Sequence, residues 1–227
     1  MLAVSKRAAR MSDLRIGRRS FTLVELLVVL GIFALMMTMA VPVFLKRSPT
    51  TAARGAVLQL KSTLSLARQW AVTRRHTTYV VFPEDSSVFT GAPHLAVTAM
   101  RGYNIMTKED GWLGEWQFLP IGFVFSRNSK HGGTTNLFHA VKTDRVFSLP
   151  FPYTNSPPRD MRCVSFKPNG RLNQTGGTTL EVVFTAGTID ANTNGTVSAY
   201  MPAANAPAFG VRIHPLTGRL TAVEYKP

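Results

Sequence analysis

GRRSFTLVELLVVLGIFALMMTMAVPVFLKR, residues 17 to 47, opens on a basic cluster and then turns apolar for the depth of a bilayer. From Leu26 to Leu45 no residue is charged. A helix of that length reaches about 30 Å at 1.5 Å per residue, which matches the hydrocarbon core. Glu25 stands at the near end of the run. A carboxylate at the centre of a membrane helix costs about 2.5–3.5 kcal/mol and less near an end, so it needs a partner or a task.

Several readings of this stretch stay open on local physics. One is a plain signal anchor. Another is a secretory signal peptide, with Thr38-Met39-Ala40 supplying small residues for cleavage before Val41. Thr22-Leu23-Val24-Glu25 also has capping-box spacing, and a carboxylate in the first turn favours the helix dipole. Lys6, Arg7, Arg10, Arg15, Arg18 and Arg19 precede the run, and Lys46, Arg47, Arg54 and Lys61 follow it. The larger group in front favours a cytoplasmic N-terminus.

The chain of 227 residues suits one domain plus an appendage. Its single cysteine, Cys163, excludes an intrachain disulfide and a cysteine-cluster metal site. The net charge of +14 is uneven: residues 1 to 20 hold six Lys or Arg against Asp13, a net +5, which leaves +9 for residues 21 to 227.

Beyond the apolar run, Pro42 and Ser48-Pro49 interrupt the helix. Ser is a good N-cap and Pro fits the first helical position, so either a kink or a new helix is expected near Pro49. Val57, Leu60, Leu64, Ala67 and Ala71 recur at steps of three and four, which predicts an amphipathic helix over 50–75 lying on a sheet. Arg74, Arg75 and His76 suit its C-terminus. Strands are predicted at 77–82, 117–126, 163–166, 178–185, 208–214 and 219–225, with tight turns at Asn169-Gly170 and over 215–218. Residues 84–116 and 127–160 are rich in Gly, Pro and Asn and read as insertions or long loops. Within them Trp112 and Trp116 suit either core anchoring or a partner contact.

Ser20 followed by FTLVELLVVLGIFALM resembles the prepilin motif of type IV pilins and type II secretion pseudopilins. LARQWAVTRRHTTYVVF, the Leu119-Pro120-x-Gly122 and Phe166-x-Pro168-x-Gly170 turns, and a terminal Gly218-Arg219 hairpin are similar to the FimT/GspH minor pseudopilin branch. The resemblance implies an α+β fold: a long N-terminal helix, kinked near Pro42 or Pro49, packed on antiparallel β-sheets. It implies a basic leader over 1–20 that is removed, a transmembrane or filament-core helix over 21–47, an amphipathic helix over 48–76 and a periplasmic β domain over 77–227.

On the same resemblance, a prepilin peptidase/N-methyltransferase cuts between Ser20 and Phe21 and methylates Phe21. The family favours Gly before the cut, and here Ser20 takes that place. Glu25 becomes the fifth mature residue and neutralises the amine of a neighbouring Phe21, setting filament register. The implied partners are other pilin or pseudopilin subunits, inner-membrane lipid and assembly-platform proteins. The implied location is the inner membrane, then a periplasmic filament.

No catalytic constellation is visible. His76, His94, His131, His139 and His214 are scattered without metal-ligand spacing. No phosphate loop, nucleophile elbow or dinucleotide fingerprint is present. The expectation is a structural subunit with no enzyme activity, no cofactor and no metal. The competing reading is a minor pilin that binds DNA for uptake, since basic residues supply sequence-independent affinity for phosphate. Some FimT-type pilins carry Gly-Arg-x-Arg near the C-terminus, and here Leu220 and Thr221 follow Gly218-Arg219. Arg212, Arg219 and Lys226 are the candidate contacts.

Overall fold

The computed structural model describes residues 22–45, 49–83, 93–128, 131–132, 135–138, 148–153, 155–156, 158–173, 178–192, 197–203 and 205–226. Two compact units divide the chain, Met1–Arg47 and Ser48–Pro227. The first contains α1, Leu23–Leu45, which runs through Pro42 without interruption. The second begins with α2, Pro49–Arg74, whose first residue is the proline that suits a first helical position. A separate helix therefore starts at Pro49.

One stripe of α2 is buried: Ala53, Val57, Leu60, Leu64, Ala67 and Ala71 are each at most 5% exposed. Small residues at three of these positions let the backbone approach the sheets closely. Arg75 ends the helix in the left-handed region at φ 57°, and the chain turns into the first strand.

The strands form two antiparallel sheets. The first contains β1 (Thr78–Pro83), β2 (Gly102–Thr107), β3 (Gly111–Trp112), β4 (Gln117–Phe118), β6 (Ser148–Pro150) and β7 (Pro158–Phe166), in the order β3-β2-β1-β7-β6 with β4 also on β2. The second contains β5 (Phe123–Phe125), β8 (Leu180–Ala191), β9 (Val197–Pro202), β10 (Ala208–Ile213) and β11 (Leu220–Tyr225), in the order β11-β10-β8-β5 with β9 on β8. A short helix, α3 (Pro93–Ala99), precedes β2. The α+β architecture, helix plus antiparallel sheets, is as the sequence leads one to expect.

The main core lies between the stripe of α2 and both sheets. Val80 and Phe82 of β1, Tyr103 and Ile105 of β2, and Val164 and Phe166 of β7 face it from the first sheet; Val182, Phe184, Val211 and Ile213 face it from the second. Residues one step away in sequence, Val81, Met106, Met161 and Cys163, point to the opposite face of the first sheet, as a period of two requires. There they meet Ala96 and Ala99 of α3 and Phe151. Both faces of the first sheet are thus covered.

That double burial corrects the expectation of a long loop over 84–116. Residues 93–116 carry α3, β2 and β3, and every residue of β2 is buried. A strand buried on both sides has no polar alternation, and in Gly-Tyr-Asn-Ile-Met-Thr the Gly and Asn resemble loop residues. Asn104 is accommodated because its Nδ2 donates to the Gly114 carbonyl at 3.0 Å and its Oδ1 accepts the Ile105 N–H at 2.7 Å. Within 127–160, β6 and the start of β7 are likewise strand, while 84–92 and 139–147 lie outside the described residues. The predicted strand over 117–126 is two strands, divided by a turn in which the Phe123 N–H donates to the Pro120 carbonyl and Gly122 has φ 88°.

Two polar links anchor α2 to the strands. Thr63 is buried and donates to Gln117 Oε1 at 2.8 Å, and it is hydrogen-bonded to Tyr103, whose phenol burial pushes up to about 12. At the other end Arg68 Nε donates to the Gly170 carbonyl at 3.1 Å. The 167–170 turn and the 214–218 turn meet there: a side chain on Gly218, at φ 63°, would collide with the Gly170 carbonyl and with Arg68.

Gly218→Ala combines left-handed strain with a backbone clash, so it should destabilise the fold by about 2 kcal/mol or more in denaturant unfolding. Thr63→Val keeps the shape but strips Tyr103 and Gln117 of a partner. It should cost about 1–3 kcal/mol in the same measurement.

Candidate functional site

The N-terminal site is built on the first turn of α1. Thr22 caps the helix: its Oγ1 accepts the Glu25 N–H at 3.2 Å and its carbonyl accepts the Leu26 N–H at 3.1 Å. Only this arm of a capping box is made. The Glu25 side chain has no hydrogen-bond or ion-pair partner among the described residues, so the cap does not consume the carboxylate. Ser20 and Phe21, the expected processing residues, lie outside the described residues.

Around Glu25 the apolar surface of α1 is open. Leu23 is 78% exposed, Leu27 65% and Leu35 63%, and every side chain described from Thr22 to Thr38 is exposed. Burying each such side chain is worth about 1.5–3 kcal/mol, so the helix is unfinished without surroundings that cover it. Among the described residues no helix is long and apolar enough to cross a membrane.

Of the three basic residues near the C-terminus, Arg212 and Arg219 lie near one another across β10 and β11, and Lys226 lies apart from them. Arg212 on β10 donates from Nε to Glu181 Oε1 at 2.6 Å, and the Glu181 side chain is only 4% exposed. The hydroxyl of Tyr225 also bonds to Glu181. The Glu181 hydrogen bond holds the Arg212 guanidinium above its ordinary range, and burial followed by the Glu181 carboxylate pushes the Tyr225 phenol up. Arg212 is therefore tied to the fold. Arg219 and Lys226 are exposed at opposite ends of β11, about 23 Å apart along the strand.

Glu181 is the residue that sequence reading missed. Its signal was a lone acid within an apolar strand, TTLEVVFT. Its backbone carbonyl also accepts the Leu137 N–H at 2.8 Å, so one residue of β8 links β10, β11 and the 135–138 segment. Nearby, Ser126 Oγ and His131 Nδ1 lie 2.7 Å apart, but Ser126 is fully buried and presents nothing to a substrate. At the end of α2, the Arg74 guanidinium stacks over Trp70 at 5.0 Å and His76 lies 3.7 Å from Glu109. Among the described residues no group of His, Cys, Asp or Glu is placed to hold a metal ion.

Comparison with known proteins agrees with both halves of this picture. Residues 15–41 match the prokaryotic N-terminal methylation motif. Residues 56–216, well over half of the chain, match the family described as type II transport protein GspH. No curated protein and no solved structure matches the chain. With a methylation motif leading into an apolar helix and a helix-on-sheets domain behind it, the chain belongs to the type II transport protein GspH family, and is a pilin-like subunit of the pseudopilin type.

Proposed function

We propose that this chain is a minor pseudopilin, a structural subunit of a type II secretion or type IV pilus-like filament, matured by cleavage between Ser20 and Phe21 and methylation of Phe21. The observation that carries the reading is the Glu25 carboxylate, without a partner among the described residues, on an otherwise apolar, exposed helix. In this reading α1, 23 residues and about 34 Å long, holds the subunit in the inner membrane with the domain from residue 48 onward in the periplasm. The helix then passes into the filament core, where neighbouring subunits replace lipid around it.

Cleavage supplies the missing charge. It creates an α-amine with a reference pKa of about 7.7–8, which methylation leaves cationic. Between apolar helices a carboxylate is tolerated chiefly when paired, so the amine of one subunit and Glu25 of the next fix the axial stagger more than they add stability. Pro42 and Pro49 are the positions at which the helical region would bend to suit the filament.

Uptake of DNA has less support. Of its three candidate contacts Arg212 is neutralised by Glu181, and the other two are separated by the length of a strand.

Glu25→Ala should leave the unfolding transition of the β domain unchanged while cutting incorporation into sheared filaments at least about tenfold; unchanged incorporation refutes the register role. N-terminal mass spectrometry of membrane-extracted protein should find a chain beginning at methylated Phe21. A chain beginning at Val41 identifies an ordinary secretory signal instead.

A further inference from the structure

On the outer face of the first sheet, α3, the β2–β4 region and the 150–153 segment enclose an open cleft of about 770 Å³. This is the size of a ligand pocket, and it is well away from the α2 core. Trp112, Trp116, Phe118 and Tyr153 supply aromatic walls. The two tryptophan rings lie 5.2 Å apart at 54°, and Trp116 stands edge-on to Phe151 at 4.7 Å. The ring of Trp116 is thereby held in place, while both tryptophans remain half-buried.

The polar groups of the cleft are open. Among the described residues neither indole N–H has a hydrogen-bond partner, and the same holds for the Tyr153 hydroxyl, the His94 imidazole and the Glu115 carboxylate. Half-buried indole N–H groups ordinarily find a partner, so these two donors are set to meet acceptors brought by something else. The charge is also distinctive. In a chain of net +14, no Lys or Arg is among the described residues that line the cleft, and the one full charge among them is Glu115.

We propose that this cleft binds an extended, proline-containing, cationic peptide segment of a partner protein. Pyrrolidine rings pack on aromatic walls, and a polyproline II strand is fully formed before it binds, so little entropy is lost. Its carbonyls project as bare acceptors, because proline has no N–H. They match a site whose free groups are chiefly donors. A Lys or Arg beside the prolines meets Glu115. An anionic ligand such as nucleic acid would meet the Glu115 carboxylate instead.

The test uses the full chain in detergent with Trp70→Phe, so that the two cleft tryptophans dominate the fluorescence. Titration with a Pro-Pro-Lys-Pro-Pro peptide should give a saturable emission change. Tyr153→Ala, at a position 72% exposed and therefore neutral to folding, should weaken the fitted affinity at least about fivefold. Glu115→Gln should weaken it about two- to fivefold and flatten its salt dependence. No saturable change up to millimolar peptide overturns the proposal, as do equal affinities in both variants. A response to a neutral oligosaccharide but not to the peptide also overturns it, assigning the cleft to sugar.

Discussion

Everything in the domain that begins at residue 48 is arranged around the buried stripe of α2. A helix with one apolar face and two sheets with apolar inner faces can exclude water only together, and the stripe meets both sheets in one core. Ala53, Ala67 and Ala71 bring the helix backbone close, while Leu60 and Leu64 fill the space between the sheets. Phe125 and Phe138 stack at 4.7 Å with Phe82 edge-on to both, which closes the sheet interface with aromatic rings in favourable orientations. Polar links at Thr63 and Arg68 then fix the helix against sliding along this apolar contact.

Where the sequence was legible, a period or a turn residue made it so. Val57, Leu60, Leu64, Ala67 and Ala71 follow steps of three and four over about four turns, and all five are buried, while Leu58 and Leu66, which would widen that face, are exposed. Gly170, Gly218 and Gly122 mark turns because each takes a left-handed conformation, and the strands on either side could be placed from them. Strand β2 was hidden for the opposite reason. It is covered by α2 and the second sheet on one face and by α3 and Phe151 on the other, so its six residues show no alternation. Asn104 inside it looked like a loop residue, since a buried amide is acceptable only through bonds to Gly114 and Ile105 that no local pattern reveals.

Charge was legible in total and illegible in detail. The excess of basic residues is plain from composition, but whether an arginine is free to act depends on contacts between strands far apart in sequence. Glu181 and Arg212 are 31 residues apart and become neighbours only because β8 and β10 pair in the register that sets one opposite the other. Tyr225, on β11, also bonds to this carboxylate. A buried acid with two donors is stable where an isolated one is not, so an arginine that composition assigns to a surface patch is instead held in the fold.

The first turn of α1 shows the reverse arrangement. Thr22 alone satisfies the Glu25 N–H, and Thr would cap equally well ahead of a neutral third residue. Capping therefore explains the threonine, and for the glutamate it leaves only the favourable helix dipole of a first-turn carboxylate. On the proposed maturation the new amine at Phe21 comes four residues before Glu25 in sequence. On that proposal the two charges of one chain would be close enough to shield each other in the membrane. In a filament the same two groups would exchange partners with neighbours, so the number of unpaired charges would not rise as the helix leaves lipid. Such an exchange would require an amine and a carboxylate only a few residues apart, which is what removal of the basic leader before Phe21 would create.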